Sequence, residues 1–176
     1  VQTGFGRTGR WFAIEHFGVE PDLIATAKAI AAGLPLGAII GKAEVMSLPR
    51  GAHANTFGGN PVAAAAALAS LEVIEEEELL HHAELLGEEL KKFFRNELGD
   101  RHDVRGLGLM IGVELLDEKK KPAKYLDEVL TKAFKRGVAV IGAGLSTIRG
   151  APPLVIPRDM ALRATAIITD ILSGYR

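Results

Sequence analysis

Residues 25–37 read Ala25-Thr26-Ala27-Lys28-Ala29-Ile30-Ala31-Ala32-Gly33-Leu34-Pro35-Leu36-Gly37. One lysine stands among small, apolar neighbours of the kind that pack against other protein. Two readings of it stay open from these residues alone. Its ammonium can reach solvent from a strand end on a snorkelling stem. Or it can serve as a Schiff-base nucleophile, because small neighbours leave room for a flat aromatic cofactor beside the amine. Before it, Leu23 to Ala27 is a short apolar run of strand character. After it, Gly33 and Pro35 forbid a regular helix, and Ala38 to Gly41 reads as a second strand.

Working outward toward the N-terminus, residues 3–9 are a glycine-rich loop. A short helix is expected around Trp11 to Phe17, closed by Gly18. The chain opens Val1-Gln2-Thr3-Gly4 with no initiator Met, and it reads as cut in mid-element. Toward the C-terminus, residues 47–60 are loop. Asn60 caps a long helix whose first position is Pro61 and which runs to about Glu77. Its expected apolar face is Leu68, Leu71, Val73 and Ile74. Leu79, Ala83, Leu86, Leu90, Phe93 and Phe94 repeat at helical spacing, so a second helix is expected over Leu79–Leu98.

Beyond residue 100 the spacing predicts a strand around Leu109–Leu115, an amphipathic helix over Tyr125–Arg136 and a strand over Val138–Ile141. Ile148–Arg149 and Leu154–Ile156 then bracket a Pro-Pro turn, and a final helix covers Ala161–Leu172. Helix and strand mix throughout with no fixed repeat, which is an α/β pattern. Three segments are expected: 1–75, a bridging helix over 76–99, and 100–176.

The 176 residues are 48% hydrophobic and 24% charged, with a formal net charge of −1. That allows a sizeable core and gives no electrostatic reason to bind nucleic acid or an anionic membrane. The absence of cysteine excludes disulfides, thiol nucleophiles and Cys-based metal sites. No stretch resembles a signal peptide or a membrane span, and a cytoplasmic protein is expected. His16 is expected to pack at its helix end. His81 and His82, on an acidic helix, are expected to be solvated rather than to ligate a metal. Glu75–Glu78 reads as an exposed face or a helix junction.

Two more stretches carry possible chemistry. Asn55-Thr56-Phe57-Gly58-Gly59-Asn60-Pro61 sets a hydroxyl and two glycines before a helix start. Such a loop can offer a hydroxyl and amides to a phosphate, or it can be a plain loop and cap. Ser146-Thr147-Ile148-Arg149-Gly150-Ala151-Pro152-Pro153 sets an arginine before a rigid turn, either as a fork for a carboxylate or as a surface ion pair.

Taken in order, these blocks resemble the class III aminotransferases, the family of acetylornithine, ornithine and 4-aminobutyrate aminotransferases. The resemblance runs from Val1-Gln2-Thr3-Gly4-Phe5-Gly6-Arg7-Thr8-Gly9 through Phe12-Ala13-Ile14-Glu15-His16, Ala27-Lys28 and Gly33-Leu34-Pro35-Leu36-Gly37-Ala38. It continues through Thr56-Phe57-Gly58-Gly59-Asn60-Pro61 and Val104-Arg105-Gly106-Leu107-Gly108-Leu109-Met110, and ends with Arg149 and Pro152-Pro153-Leu154. It covers essentially the whole chain.

The resemblance implies the C-terminal part of a fold-type I transferase dependent on pyridoxal 5'-phosphate (PLP). That is the end of a large domain plus a small C-terminal domain. It implies that Lys28 binds PLP covalently and later moves the proton at the substrate Cα. Val1 would pack on the cofactor ring, Gln2 would lie near its 3-hydroxyl, and Thr56 would bind its phosphate from the partner subunit of a homodimer. Arg149 would grip the substrate α-carboxylate, and Arg105 would have a structural role.

The implied reaction moves an amino group from 4-aminobutyrate, ornithine, acetylornithine or a similar donor to a 2-oxo acid such as 2-oxoglutarate. A racemase of the same fold and a truncated, non-catalytic fragment are the alternatives. Two departures from the family pattern stand out. The Asp-Glu pair that precedes Val-Gln in the family, whose aspartate pairs with the pyridine nitrogen, lies outside this sequence, as does the family's N-terminal half. Gly150 also replaces the bulkier residue that follows the arginine in many relatives.

Overall fold

The computed structural model describes residues 1–175. Contacts divide the chain into two units, one covering Val1–Leu80 and the other running from His81 onward. The first unit holds strands β1 (Leu23–Thr26) and β2 (Ala38–Gly41) and helix α1 (Pro61–Glu76). β1 and β2 pair antiparallel, Leu23 opposite Gly41 and Thr26 opposite Ala38. The pair is closed at its open end by Lys42, whose Nζ lies 3.0 Å from Asp22.

Ahead of β1, Phe5 is buried against Phe12 at 5.2 Å between ring centroids and meets Trp11 edge-on at 6.4 Å. The helix expected from Trp11 is a single 3-10 turn, Ala13–Phe17. Glu15 Oε1 accepts the Phe12 N–H at 2.6 Å, and Gly18 closes the turn in the left-handed region at φ 62°. Five residues between those two stops leave no length for an α-helix.

α1 begins as the Asn60-Pro61 pair predicts, with Asn60 Oδ1 accepting the Ala63 N–H at 2.9 Å. Its buried face, however, is Ala63, Ala67 and Ile74, while Leu68 and Val73 are exposed. The alanines, not the leucine, form the contact face of α1, and α1 packs against the turn Lys28–Ala31. Side chains this small bring a helix close to backbone. The large apolar residues are left outward: Phe57 is 81% exposed and Val62 69%.

Helix α2 (Leu79–Leu98) starts after Glu78, whose φ of 50° turns the chain between the two helices. The second unit continues with β3 (Asp103–Leu107), β4 (Met110–Glu114), α3 (Leu126–Lys135), β5 (Ile141–Ala143), β6 (Thr147–Gly150) and α4 (Arg158–Ser173). The sheet order is β3-β4-β6-β5, every pair antiparallel.

Val104, Val113 and Ile148 stand opposite one another across three strands and are all buried. They share a core with Leu86, Leu90 and Phe94 of α2, Val129 of α3 and Leu172 of α4. Because strand side chains alternate, the next row, Arg105, Gly112, Arg149 and Ile141, lies on the opposite face.

Two strand expectations are corrected here. The single strand expected at 109–115 is the second arm of a hairpin. Its first arm, β3, is masked in sequence by Gly106 and Gly108. Gly106 needs its glycine, because φ is 143° and a Cβ would come 2.1 Å from Met110 O. The strand expected at 138–141 begins only at Ile141. Val138 N–H is taken by Ala133 O at 2.9 Å as the chain leaves α3, so residues 138–140 are spent in the return. Residues 154–156 form no strand, and α4 starts at Arg158.

α2 is held to the hairpin by polar contacts that periodicity does not reveal. Lys91 is buried, with Nζ donating to Gly106 O at 2.9 Å, and Arg95 Nη2 donates to Val104 O at 2.9 Å. His82 is not simply solvated. Its Nε2 lies 3.1 Å from Ile156 O, anchoring the loop before α4. No helix among the described residues is long and apolar enough to cross a membrane.

Candidate active site

Lys28 follows directly on β1. Ala27 is fully extended, and Lys28 then takes φ 52° and opens the 3-10 turn Lys28–Ala31. A non-glycine residue in the left-handed region costs about 1–2 kcal/mol. Such outliers concentrate at functional sites. The lysine is exposed while Thr26, Ile30 and Ala31 around it are buried. Thr26 Oγ1 donates to Ala38 O at 3.1 Å and ties the strand end beneath it.

Ala27, the residue before the lysine, lines two clefts. One, of about 270 Å³, is bounded by Val1, Thr3, Gly4, Phe12, Ile14 and Thr26. The other, of about 920 Å³, is bounded by Gly37 and by the loop carrying His53, Asn55, Phe57 and Asn60. Val1 is about half exposed, and its backbone nitrogen donates to Ala25 O at 3.1 Å, which sets it beside β1. Gln2 is exposed.

The loop holding Thr56 is shaped by its own polar groups. Asn55 Oδ1 accepts the Phe57 N–H at 3.1 Å, and Asn55 O accepts the Gly58 N–H at 3.3 Å. Thr56 itself is exposed on that loop, four residues before Asn60. In the first unit Val1 lines one of these clefts and the loop that carries Thr56 lines the other, while Lys28, which follows Ala27, lines neither. Arg149 belongs to the second unit.

On the open face of the sheet Arg149 is half-buried, and its Nε is buried with no hydrogen-bond partner. Across Gly112 stands Arg105, which is neutralised by Asp103 and by Glu114 Oε2 at 2.8 Å. These bonds hold the Arg105 guanidinium in its charged form. The two arginines thus differ: Arg105 is spent on carboxylates of its own sheet, while Arg149 retains a buried donor for an acceptor from elsewhere. Gly112, between them in the row, carries no side chain, and a Cβ there would come 3.3 Å from Thr147 Cγ2. Sequence reading passed over Gly112. An isolated glycine inside a strand pattern was the available signal.

The family matched over residues 1–172 is Aminotransferase class-III. The chain is 47% identical over 166 residues to the leucine/methionine racemase of Thermococcus litoralis, covering 90% of this chain and 38% of that protein. It is 48% identical over 160 residues to the acetylornithine aminotransferase of Methanosarcina mazei, with the same coverage of 90% and 38%. Among solved structures, the ornithine aminotransferase of Toxoplasma gondii, described with partial occupancy of PLP at its active site, superposes with a TM-score of 0.90. It shares 36% identity, covering 99% of this chain and 41% of that one. The chain spans about two fifths of the length of these relatives.

Proposed function

The chain belongs to the class-III aminotransferase family, and from that premise we propose that the protein carrying it transfers an amino group from an amino acid to a 2-oxo acid such as 2-oxoglutarate, using PLP. The observation that carries the reading is Lys28, exposed and strained at φ 52° above a buried strand end. Residues 1–75 and 100–176 are read as the end of the large domain and as the small domain, with residues 76–99 bridging them.

The residues present fit the cofactor. Lys28 would supply an amine, Val1 an apolar surface for the ring, the Thr56 loop a hydroxyl and amides for the phosphate, and Gln2 a polar side chain. When bound, PLP supplies an aldehyde carbon and a ring that draws electrons from the substrate Cα. Lys28 Nζ would carry the proton between the substrate Cα and the cofactor, the shift that amino transfer requires. Arg149 fixes an α-carboxylate by two parallel hydrogen bonds and so sets the direction of the Cα–H bond. The unsatisfied Nε of Arg149 supports that role, and α-amino acids are the donors it favours. The panel sets α-amino acids beside ornithine, acetylornithine and 4-aminobutyrate, whose terminal amines place no carboxylate on the reacting carbon.

Thr56 is assigned to the phosphate of a partner subunit, so the active form is a homodimer. The outward apolar side chains Ile39, Ile40, Phe57, Val62 and Leu68 support coverage of the first unit by further protein. The test supplies the protein carrying this chain with PLP, a panel of amino donors and 2-oxoglutarate. Keto acid formation, with borohydride reduction trapping PLP on Lys28 and no trapping in Lys28→Ala, is the expected result. Turnover of no donor would sink the proposal.

The likeness to a Thermococcus racemase favours a second reading, amino-acid racemisation. Proton removal and return at Cα would then use the same lysine. Deuterium entering Cα with inversion and without keto acid would select it over transfer.

A further inference from the structure

We propose that the cleft beside His102 in the second unit binds a small-molecule oxyanion, a phosphate or carboxylate group. The cleft, about 640 Å³, is lined by Arg101, His102, Lys119 and Lys120 together with Tyr125 and Tyr175. His102 is 6% exposed. Its Nδ1 accepts the Leu116 N–H at 3.2 Å, so the neutral ring carries its proton on Nε2 and presents a donor there. That Nε2 is buried and has no partner. A buried donor without an acceptor is costly and calls for an explanation such as an unseen ion or ligand.

The charges around it point the same way. Burial, then the charges of Arg101 and Lys120, hold the His102 imidazole below the usual histidine range, against a smaller opposing contact with the Arg101 backbone. Both cations therefore lie within electrostatic reach of the ring. Their hydrogen bonds go to neutral carbonyls: Arg101 Nε to Leu98 O at 3.4 Å and Lys120 Nζ to Asp100 O. Asp117 and Glu118 also line the cleft. Asp117 Oδ1, however, is taken up by the amides of Lys119 and Lys121, both at 2.9 Å.

Three cations thus face two carboxylates, one of them committed to its turn. An oxyanion supplies the acceptor that this donor set lacks, through charge-assisted hydrogen bonds. Tyr125, stacked on Tyr175 at 4.3 Å between centroids, gives the carbon frame of such a ligand an aromatic wall, the other face of Tyr175 being covered by Lys132 Nζ at 4.5 Å. None of these residues belongs to the PLP reading, and the two proposals stand or fall separately.

The test is an NMR titration of the full chain, following the His102 ring resonances with inorganic phosphate, with acetate, and with chloride at matched ionic strength. Phosphate or acetate should shift them saturably and raise the imidazole pKa, while chloride should not. Phosphate alone assigns a phosphorylated ligand, and acetate acting equally assigns carboxylates as well. Arg101→Ala and Lys120→Ala alter exposed side chains, so the fold is kept, and each should weaken binding about tenfold or more. Shifts matched by chloride, or affinity unchanged in both variants, would overturn the proposal.

Discussion

Replacing Gly87 with alanine should destabilise the protein, although alanine is the better helix former. Gly87 lies inside α2, and in an isolated helix Gly87→Ala would gain about 0.8–1 kcal/mol. Here an added Cβ would sit 2.0 Å from Gly108 O and 2.3 Å from Gly108 C, both backbone atoms of the β3–β4 turn. Relief of that clash needs the turn and helix to separate by more than ~1 Å. Forced separation of a packed interface costs roughly 1–3 kcal/mol.

The same movement stretches the bonds from Lys91 to Gly106 O and from Arg95 to Val104 O, both 2.9 Å. Hydrogen bonds to charged groups contribute about 1.5–3 kcal/mol each, and Lys91 is buried. Partial loss of both outweighs the helix gain. A net loss of about 2–4 kcal/mol follows from these terms. Urea unfolding followed by far-UV circular dichroism reads it as a lower midpoint at unchanged slope. A Gly87→Ala protein equal to or more stable than the parent would refute the close approach of helix and turn.

Two further outcomes are expected. Asn60→Ala removes the acceptor for Ala63 N–H and should cost about 1 kcal/mol in the same assay; no loss would mean that Pro61 alone starts α1. His102 titrates lower in the folded protein than in the unfolded chain, where its pKa is about 6.5. The unfolded state therefore takes up the proton first. The stability due to neutral His102 is fully present above about pH 6.5 and is lost as pH falls toward the lower folded value. His102→Gln should flatten that part of the stability profile between about pH 8 and pH 5, and an unchanged profile would place the titration elsewhere.

Much of this molecule is legible in one dimension because its signals are local. Asn60-Pro61 names the start of α1, since a capping oxygen and a residue without an N–H suit a helix N-terminus whatever surrounds it. The apolar repeat from Leu79 to Phe94 finds α2 within its bounds. The ordered blocks around Lys28, Thr56 and Arg149 were enough to identify the family. What the sequence left hidden depends on which backbone comes near which. Alanines rather than Leu68 face inward on α1, because their size admits a close neighbour. β3 is hidden in the sequence because Gly106 serves the approach of Met110 and not the strand itself.

The sequence by itself therefore determined the family, the helices and the lysine, all of which rest on residue type and spacing. Only the tertiary structure decided the strain at Lys28, the contrast between a neutralised Arg105 and an Arg149 with an orphaned donor, and the buried, unpartnered nitrogen of His102. Those are properties of distance and burial, and two residues far apart in the chain acquire them only when folding brings them together.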